Sequence, residues 1–446
     1  MMTCRLKEIN LIVEANEGFT GAIVICVKIQ TRVFAENMNR NGDFAMKKII
    51  KASAITSITV VGMIILVLAA SAALYSPEYI YRTVTNGESK ITDFKVFPER
   101  MIARSDNPYT YAYMLDEAFG TSEISYQAGD EQITQSLDDL FGENGTTSCI
   151  VIKSDKVIYE KYFNGYDRDS IETSFSSVKS LVSLMIGMAI EDGYIKSVKQ
   201  SVAEYIPEYA GTQFEAITIE NLLMMRSNIE YEEGFIWFTD DAKTYYMPNL
   251  RDLALHHIRF DADYAGQFHY NNYHPLILGI ILERATGMRV AEYFQKKIWD
   301  KIGAEYDASW SLDSEDSGFE KMESGLNLKS IDYAKIGSML LHGGKWNGNT
   351  VVSENWIGLS TIASEPLAKS DIDSAFLKGV EVGYQYMWYS IENDKGGHDF
   401  FSAGKFGQYI YISPENDTVI VRTGKSTGMV DWWPDVFKQM AGDSFG

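Results

Sequence analysis

Cysteine is scarce. Of 446 residues only three are cysteine, and only Cys149 lies beyond the long apolar run described below. The main part of the chain can therefore form no internal disulfide. Cys149 opens the run Cys149-Ile150-Val151-Ile152, the setting of a buried strand thiol and not of a nucleophile. Histidine is also rare, and His256, His257, His269, His274, His342 and His398 are scattered without Cys or acidic neighbours at ligand-like spacing. That excludes the common zinc patterns and predicts no metal and no cofactor. No GxSxG elbow, no HExxH and no phosphate-cradling loop occurs. Positive charge is short as well: 40 Lys and Arg face 61 Asp and Glu, a formal charge of −21. A surface of that sign repels a phosphate backbone, so nucleic acid is excluded as a partner.

Apolar residues, by contrast, are plentiful at 46%, enough to bury a sizeable core. From Ala52 to Leu74 no charged residue interrupts a run of Ile, Val, Leu and Ala, and Lys47, Lys48 and Lys51 precede it. A membrane-crossing helix needs about 20 apolar residues, against roughly 7–15 in a cleavable signal core. The basic flank should stay in the cytoplasm and send the rest of the chain outside. The expected location is the cell membrane, single-pass, with an extracytoplasmic catalytic domain; Ala70-Ser71-Ala72 as a cleavage site would instead make the protein secreted. Met46 before the lysines reads as a natural start. The expected organisation is a possible over-extended N-terminus (1–45), a transmembrane signal anchor (46–75), a juxtamembrane stalk (76–130) and a catalytic domain (131–446).

Within the last part, Glu131–Phe141 reads as a short amphipathic helix with Ile133, Leu137, Leu140 and Phe141 on one side. Ser148–Lys153 and Lys156–Phe163 flank Ser154-Asp155 as a hairpin. Ser176–Asp192 reads as a helix apolar nearly all round, hence buried, with Gly193 as its stop. Helical patterns and loops follow from about 201 to 349. Strands return at Gly383–Ile391, His398–Ala403, Gln408–Ile412 and Thr418–Val421, before a last helix near Trp433–Met440. Strands at both ends with helices between them predict an α+β fold: an antiparallel sheet flanked by helices, with a helical insertion.

Two Ser-x-x-Lys patterns are present, Ser176-Ser177-Val178-Lys179 and Ser402-Ala403-Gly404-Lys405. At a helix start, residues three apart share a face, so Lys179 can reach the Ser176 hydroxyl. In a strand the same offset sends Ser402 and Lys405 to opposite faces. A serine hydroxyl needs a neighbour to take its proton, and a lysine amine that has lost solvation can do so. A helix N-terminus adds backbone N–H groups for a developing oxyanion. Tyr270-Asn271-Asn272 precedes a further helix at Leu276–Arg284. A tyrosine beside a lysine ammonium can serve as a base, and an asparagine offers both donor and acceptor to an acyl amide. The second Tyr-x-Asn, Tyr162-Phe163-Asn164, ends a strand and reads as a turn.

The order Ser176-x-x-Lys179, Tyr270-x-Asn272, then a glycine-bearing strand near the C-terminus resembles class C β-lactamases, DD-peptidases and related serine hydrolases. Among these it looks most like the aminohexanoate-dimer (nylon-oligomer) hydrolase and esterase branch. Supporting stretches are Ile150–Gly165, Ile219–Ser227, Tyr270–Gly287, Gly325–Gly348 and Gly404–Val421. The resemblance implies a β-lactamase/transpeptidase-like fold and a serine hydrolase that cleaves an amide or ester of a small molecule or peptide. Ser176 would be the acylated nucleophile, Lys179 its proton partner, Tyr270 general base and later acid, and Asn272 a substrate holder. The backbone N–H groups of Ser176 and Lys405, just past Gly404, would bind the oxyanion. Where many relatives carry Lys-Thr-Gly or His-x-Gly, this chain has Ser402-Ala403-Gly404, so Ser402 is expected to meet the substrate without a cation. Two alternatives keep the same fold: a non-catalytic wall-binding or regulatory protein, and a true β-lactamase or DD-carboxypeptidase.

Overall fold

The computed structural model of the chain describes residues 43–442 except 235, 265, 363–365 and 368–380; in its first helix, side chains are described at 53–67 and from 70 on. Most of the N-terminal stretch expected as an extension, and the side chains of Lys47, Lys48 and Lys51, fall outside the described residues. The chain divides into two compact units. One comprises residues up to Ser89 with Phe235–Trp237; the other comprises Lys90–Gly234 and Phe238–Gly446.

In the first unit, helix α1 (Asp43–Leu74) contains Ser53–Leu74, a segment of mean hydropathy 2.4 that is long and apolar enough to cross a membrane. It buries almost nothing: Ile55, Ile58 and Leu66 are each more than 60% exposed. A soluble core helix would hide those side chains. Helix α2 (Pro77–Asn86) starts after Ser76, whose Oγ accepts a bond from the Tyr79 amide at 3.0 Å, and Pro77 fills the first position.

The second unit is built on an eight-stranded sheet in the order β12-β13-β14-β15-β16-β5-β6-β2. Its strands are β2 (Ala112–Tyr113), β5 (Thr146–Lys153), β6 (Lys156–Tyr162), β12 (Gly383–Gln385), β13 (Trp388–Glu392), β14 (His398–Gly404), β15 (Gln408–Ser413) and β16 (Thr418–Gly424). All neighbours are antiparallel except β2 with β6. The two parts of the chain meet at β5 and β16, where Ile150 faces Val421. A four-stranded sheet, β1 (Glu99–Ile102), β8 (Ala308–Ser311), β9 (Leu326–Leu328) and β7 (Glu172–Thr173), and two hairpins, β3 (Glu123–Ala128) with β4 (Glu131–Ser136) and β10 (Lys345–Trp346) with β11 (Asn349–Thr350), complete the strands.

Both faces of the large sheet are covered. Helix α6 (Ser330–Leu341) lies against Ile410 and Val419, where a Cβ on Gly337 would come within 2.3 Å of Val419. Helix α7 (Trp433–Ala441) packs Phe437 on Tyr409 and Tyr411, the alternate residues of β15. Strands buried on both sides read as continuous apolar runs, which is why Cys149–Ile152 shows no alternation. Cys149 is buried, and burial pushes its thiol far above the ordinary range. Between the sheet segments come helices α3 (Leu137–Glu143), α4 (Val178–Glu191) and α5 (Tyr273–Thr286).

The predicted α+β architecture holds, with two local corrections. Glu131–Phe141 is not one helix: β4 runs to Ser136, whose hydroxyl then caps α3. Gly129 with positive φ turns the chain so that Gln132 and Thr134 pair with β3, and pairing outweighs the helical spacing. Gly383–Ile391 is a tight hairpin, because Tyr386 and Met387 both take positive φ and reverse the chain. The stretch expected as a stalk belongs to the second unit from Lys90 onward, with β1 paired to β8 and β2 to β6. The hairpin at Ser154-Asp155 forms as expected, with φ of 49° and 58° at its two turn residues.

Candidate active site

A 3-10 turn, Phe175–Ser177, leads straight into α4. In such a turn residues i and i+3 eclipse one another, and Lys179 Nζ accordingly lies 2.7 Å from Ser176 Oγ. Lys179 is buried while Ser176 remains partly exposed. The ammonium also donates to the carbonyl of Glu323 at 3.0 Å and sits 4.9 Å from the centroid of the Tyr270 ring. These contacts fix Nζ against the serine and beneath the tyrosine.

Tyr270 comes from the loop before α5, and its neighbour Asn271 holds that loop in place. Asn271 is fully buried; its Nδ2 donates to the Ile229 carbonyl at 2.9 Å, and its Oδ1 accepts the Tyr273 amide at 2.8 Å. Asn272 is held from the other side. Its Nδ2 donates to Tyr231 Oη at 2.6 Å and to Asp241 Oδ1 at 3.3 Å, while Tyr231 donates to Asp241. The carboxylate accepts only, so the amide orientation is determined and Asn272 Oδ1 is left without a hydrogen-bond partner. Burial, and then the Asp241 charge, hold the Tyr231 hydroxyl far above the ordinary phenol range. An aromatic wall of Phe268, Tyr384 and Tyr389 stands near, with ring centroids 4.9 Å apart at each step.

The turn before the nucleophile is strained. Phe175 takes φ of 44°, a conformation that costs a non-glycine residue roughly 1–3 kcal/mol. Its ring meets Phe406 edge-on at 5.2 Å, and Phe406 is itself left-handed at φ 66°. The two rings thus clasp the serine turn to the turn that follows β14. Gly404 allows this approach: a Cβ there would lie 2.5 Å from the Ser174 carbonyl and 3.0 Å from the Ser177 amide. Behind that turn the buried Arg422 donates to the carbonyls of Phe406 and Gly407, at 3.2 and 2.7 Å.

Of the seven side chains or backbone positions singled out in the sequence, Ser176, Lys179, Tyr270 and Asn272 have their surroundings described above, and Gly404 and Lys405 stand at the end of β14 beside the serine turn. Ser402 is the correction. It is fully buried, and its hydroxyl lies 2.5 Å from Ser177 Oγ instead of facing outward. Strand alternation puts it on the face of β14 that packs against the serine turn and α6. Sequence reasoning missed Tyr231, Asp241 and the Glu323 carbonyl, which come from 30 or more residues away and carry no local signal. Tyr162-Phe163-Asn164 is indeed a turn, with Asn164 at φ 56°. Among the described residues no group of His, Cys, Asp and Glu could hold a metal.

The family model described as Beta-lactamase matches residues 138–431. The chain is similar to a 6-aminohexanoate-dimer hydrolase of Paenarthrobacter ureafaciens, 29% identical over 320 residues, which cover 67% of this chain and 76% of the relative. Among solved structures it is similar to a putative 6-aminohexanoate-dimer hydrolase from Bacillus anthracis, with TM-score 0.67 and 21% identity over 79% of this chain and 92% of that one. A family VIII carboxylesterase superposes with TM-score 0.51 and 16% identity, over 69% of this chain and 95% of its own.

Proposed function

The chain belongs to the Beta-lactamase family and is a serine hydrolase, and on that premise we propose that it cleaves an amide or ester through an acyl-enzyme on Ser176. The observation that carries this reading is the 2.7 Å approach of Lys179 Nζ to Ser176 Oγ beneath the Tyr270 ring. Ser176 Oγ attacks the substrate carbonyl carbon as its proton passes to the Lys179–Tyr270 pair. The carbonyl oxygen, now anionic, is met by the N–H groups of Ser176 and Lys405. Collapse expels the amine or alkoxide, which takes the proton back from Tyr270. Water then repeats the sequence on the acyl-serine and releases the acid. Asn272, clamped by Tyr231 and Asp241, holds the acyl side.

An amide substrate is favoured by the relative named for the 6-aminohexanoate dimer. The segment Ser53–Leu74 serves as a single-pass anchor, and the catalytic domain lies outside the cytoplasm. Protease added to intact cells should then remove residues 131–440; protection until lysis contradicts the topology.

The function itself is tested by turnover of p-nitrophenyl butyrate, a p-nitroanilide and nitrocefin by the full chain in detergent. The ester and anilide should be hydrolysed, and Ser176→Ala should abolish turnover of every substrate that the wild-type chain cleaves. Undiminished turnover by Ser176→Ala refutes the proposal.

A further inference from the structure

The residue after the nucleophile, Ser177, is fully buried and points away from the cleft. Its hydroxyl accepts a hydrogen bond from Tyr333 of α6 and lies 2.5 Å from the hydroxyl of Ser402 on β14. Ser402 in turn faces the Tyr333 oxygen. All three residues are at most 1% exposed. Three hydroxyls that each touch the other two can satisfy one another completely: Tyr333 donates to Ser177, Ser177 to Ser402 and Ser402 to Tyr333. Within the ring each group gives one proton and receives one, Ser402 Oγ also accepting the Ile410 amide at 3.4 Å, and such closed networks strengthen their members.

The position of this ring is what gives it consequence. It ties together the serine turn, the strand that ends at Gly404 and Lys405, and the helix behind both. The two N–H groups assigned to the oxyanion belong to Ser176 and Lys405, one residue from Ser177 and three from Ser402. A missing hydroxyl would let those two backbone segments part by fractions of an ångström, and oxyanion donors act only within a narrow distance range.

Resting on the proposed acyl-enzyme reading, we propose that Ser177, Ser402 and Tyr333 are positioning residues whose hydroxyl ring sets the spacing of the oxyanion-binding amides. Ser402 thus works from inside the protein, replacing a substrate contact with a structural one.

The test uses the full chain in detergent, with Ser402→Ala, Tyr333→Phe, their double variant and Ser402→Thr. Turnover of p-nitrophenyl butyrate and the rate of fluorophosphonate labelling at Ser176 are measured beside the melting temperature. Each single variant should lose roughly ten- to hundred-fold in kcat with KM nearly unchanged, as expected when reacting groups shift without losing ground-state contacts. The double variant should lose no more than the worse single one, because either change opens the ring. Ser402→Thr should retain activity within about three-fold of wild type, since its hydroxyl closes the ring as serine does. Losses that multiply in the double variant, a Thr variant as slow as the Ala variant, or folded variants with wild-type kcat overturn the proposal. If wild type itself fails to label at Ser176, the acyl-enzyme reading falls and takes the ring with it. If wild type labels and the variants label equally fast, the ring alone is wrong.

Discussion

Glu172 sits on β7, four residues before the nucleophile, and is only 3% exposed. One of its carboxyl oxygens has no hydrogen-bond partner. Burial raises its pKa from the ordinary 4.5 to about 7, against smaller downward pulls from the hydroxyls of Thr147 and Thr423 and the charge of Arg422. The sign follows from linkage: the folded state binds this proton more tightly than the unfolded one, so stability is full below pH 4.5 and is lost as pH rises through 7. At 1.36 kcal/mol per tenfold, the complete loss is about 3 kcal/mol, most of which falls between pH 5 and pH 8. Glutamine keeps the shape and cannot ionise. The assay is urea unfolding of the full chain in detergent, followed by tryptophan fluorescence at both pH values. Glu172→Gln should gain on wild type by about 2–3 kcal/mol between pH 5 and pH 8, on the order of a large single-residue effect. A stability difference that is the same at both pH values refutes the reasoning.

Other substitutions test the site's framework. Gly404→Ala should cut kcat by about a hundred-fold or more, because its Cβ would meet the Ser174 carbonyl at 2.5 Å and push β14 off the serine turn; near-normal kinetics would show that this close approach is not needed. Asn271→Ala should destabilise the fold by about 1–3 kcal/mol by leaving the Ile229 carbonyl unpaired, measured by the same urea unfolding, and should lower kcat more than it raises KM. Arg422→Met should cost about 3 kcal/mol or more, since it strips donors from the buried carbonyls of Gly407 and Asn144; a variant as stable as wild type would contradict that. Activity should be unaffected by EDTA, and loss that zinc restores would refute the metal-free chemistry.

Much of the architecture was legible because its signals are local. The turn at Ser154-Asp155, the all-round apolar α4 and the doubly buried strands each announce themselves in a few consecutive residues. The pairing of Ser176 with Lys179 was legible for the same reason, since a three-residue offset at a helix start defines a shared face. The failures have a common cause in tertiary pairing. Glu131–Ser136 carries a helical spacing but is recruited as a strand by β3, and Gly383–Ile391 hides its reversal in two non-glycine residues with positive φ. Ser402 was misread because alternation along a strand tells which residues share a face, and not which face looks into the cleft. Tyr231 and Asp241, which orient Asn272, could not be found at all without the fold that brings them there.

The central claim is that Ser176 carries the acyl group. Intact-mass analysis of the full chain after fluorophosphonate treatment, followed by peptide mapping, reads this directly. The account predicts a single adduct on the peptide that holds Ser176 and none in Ser176→Ala. An adduct that persists in Ser176→Ala, or that maps to another residue in wild type, contradicts it.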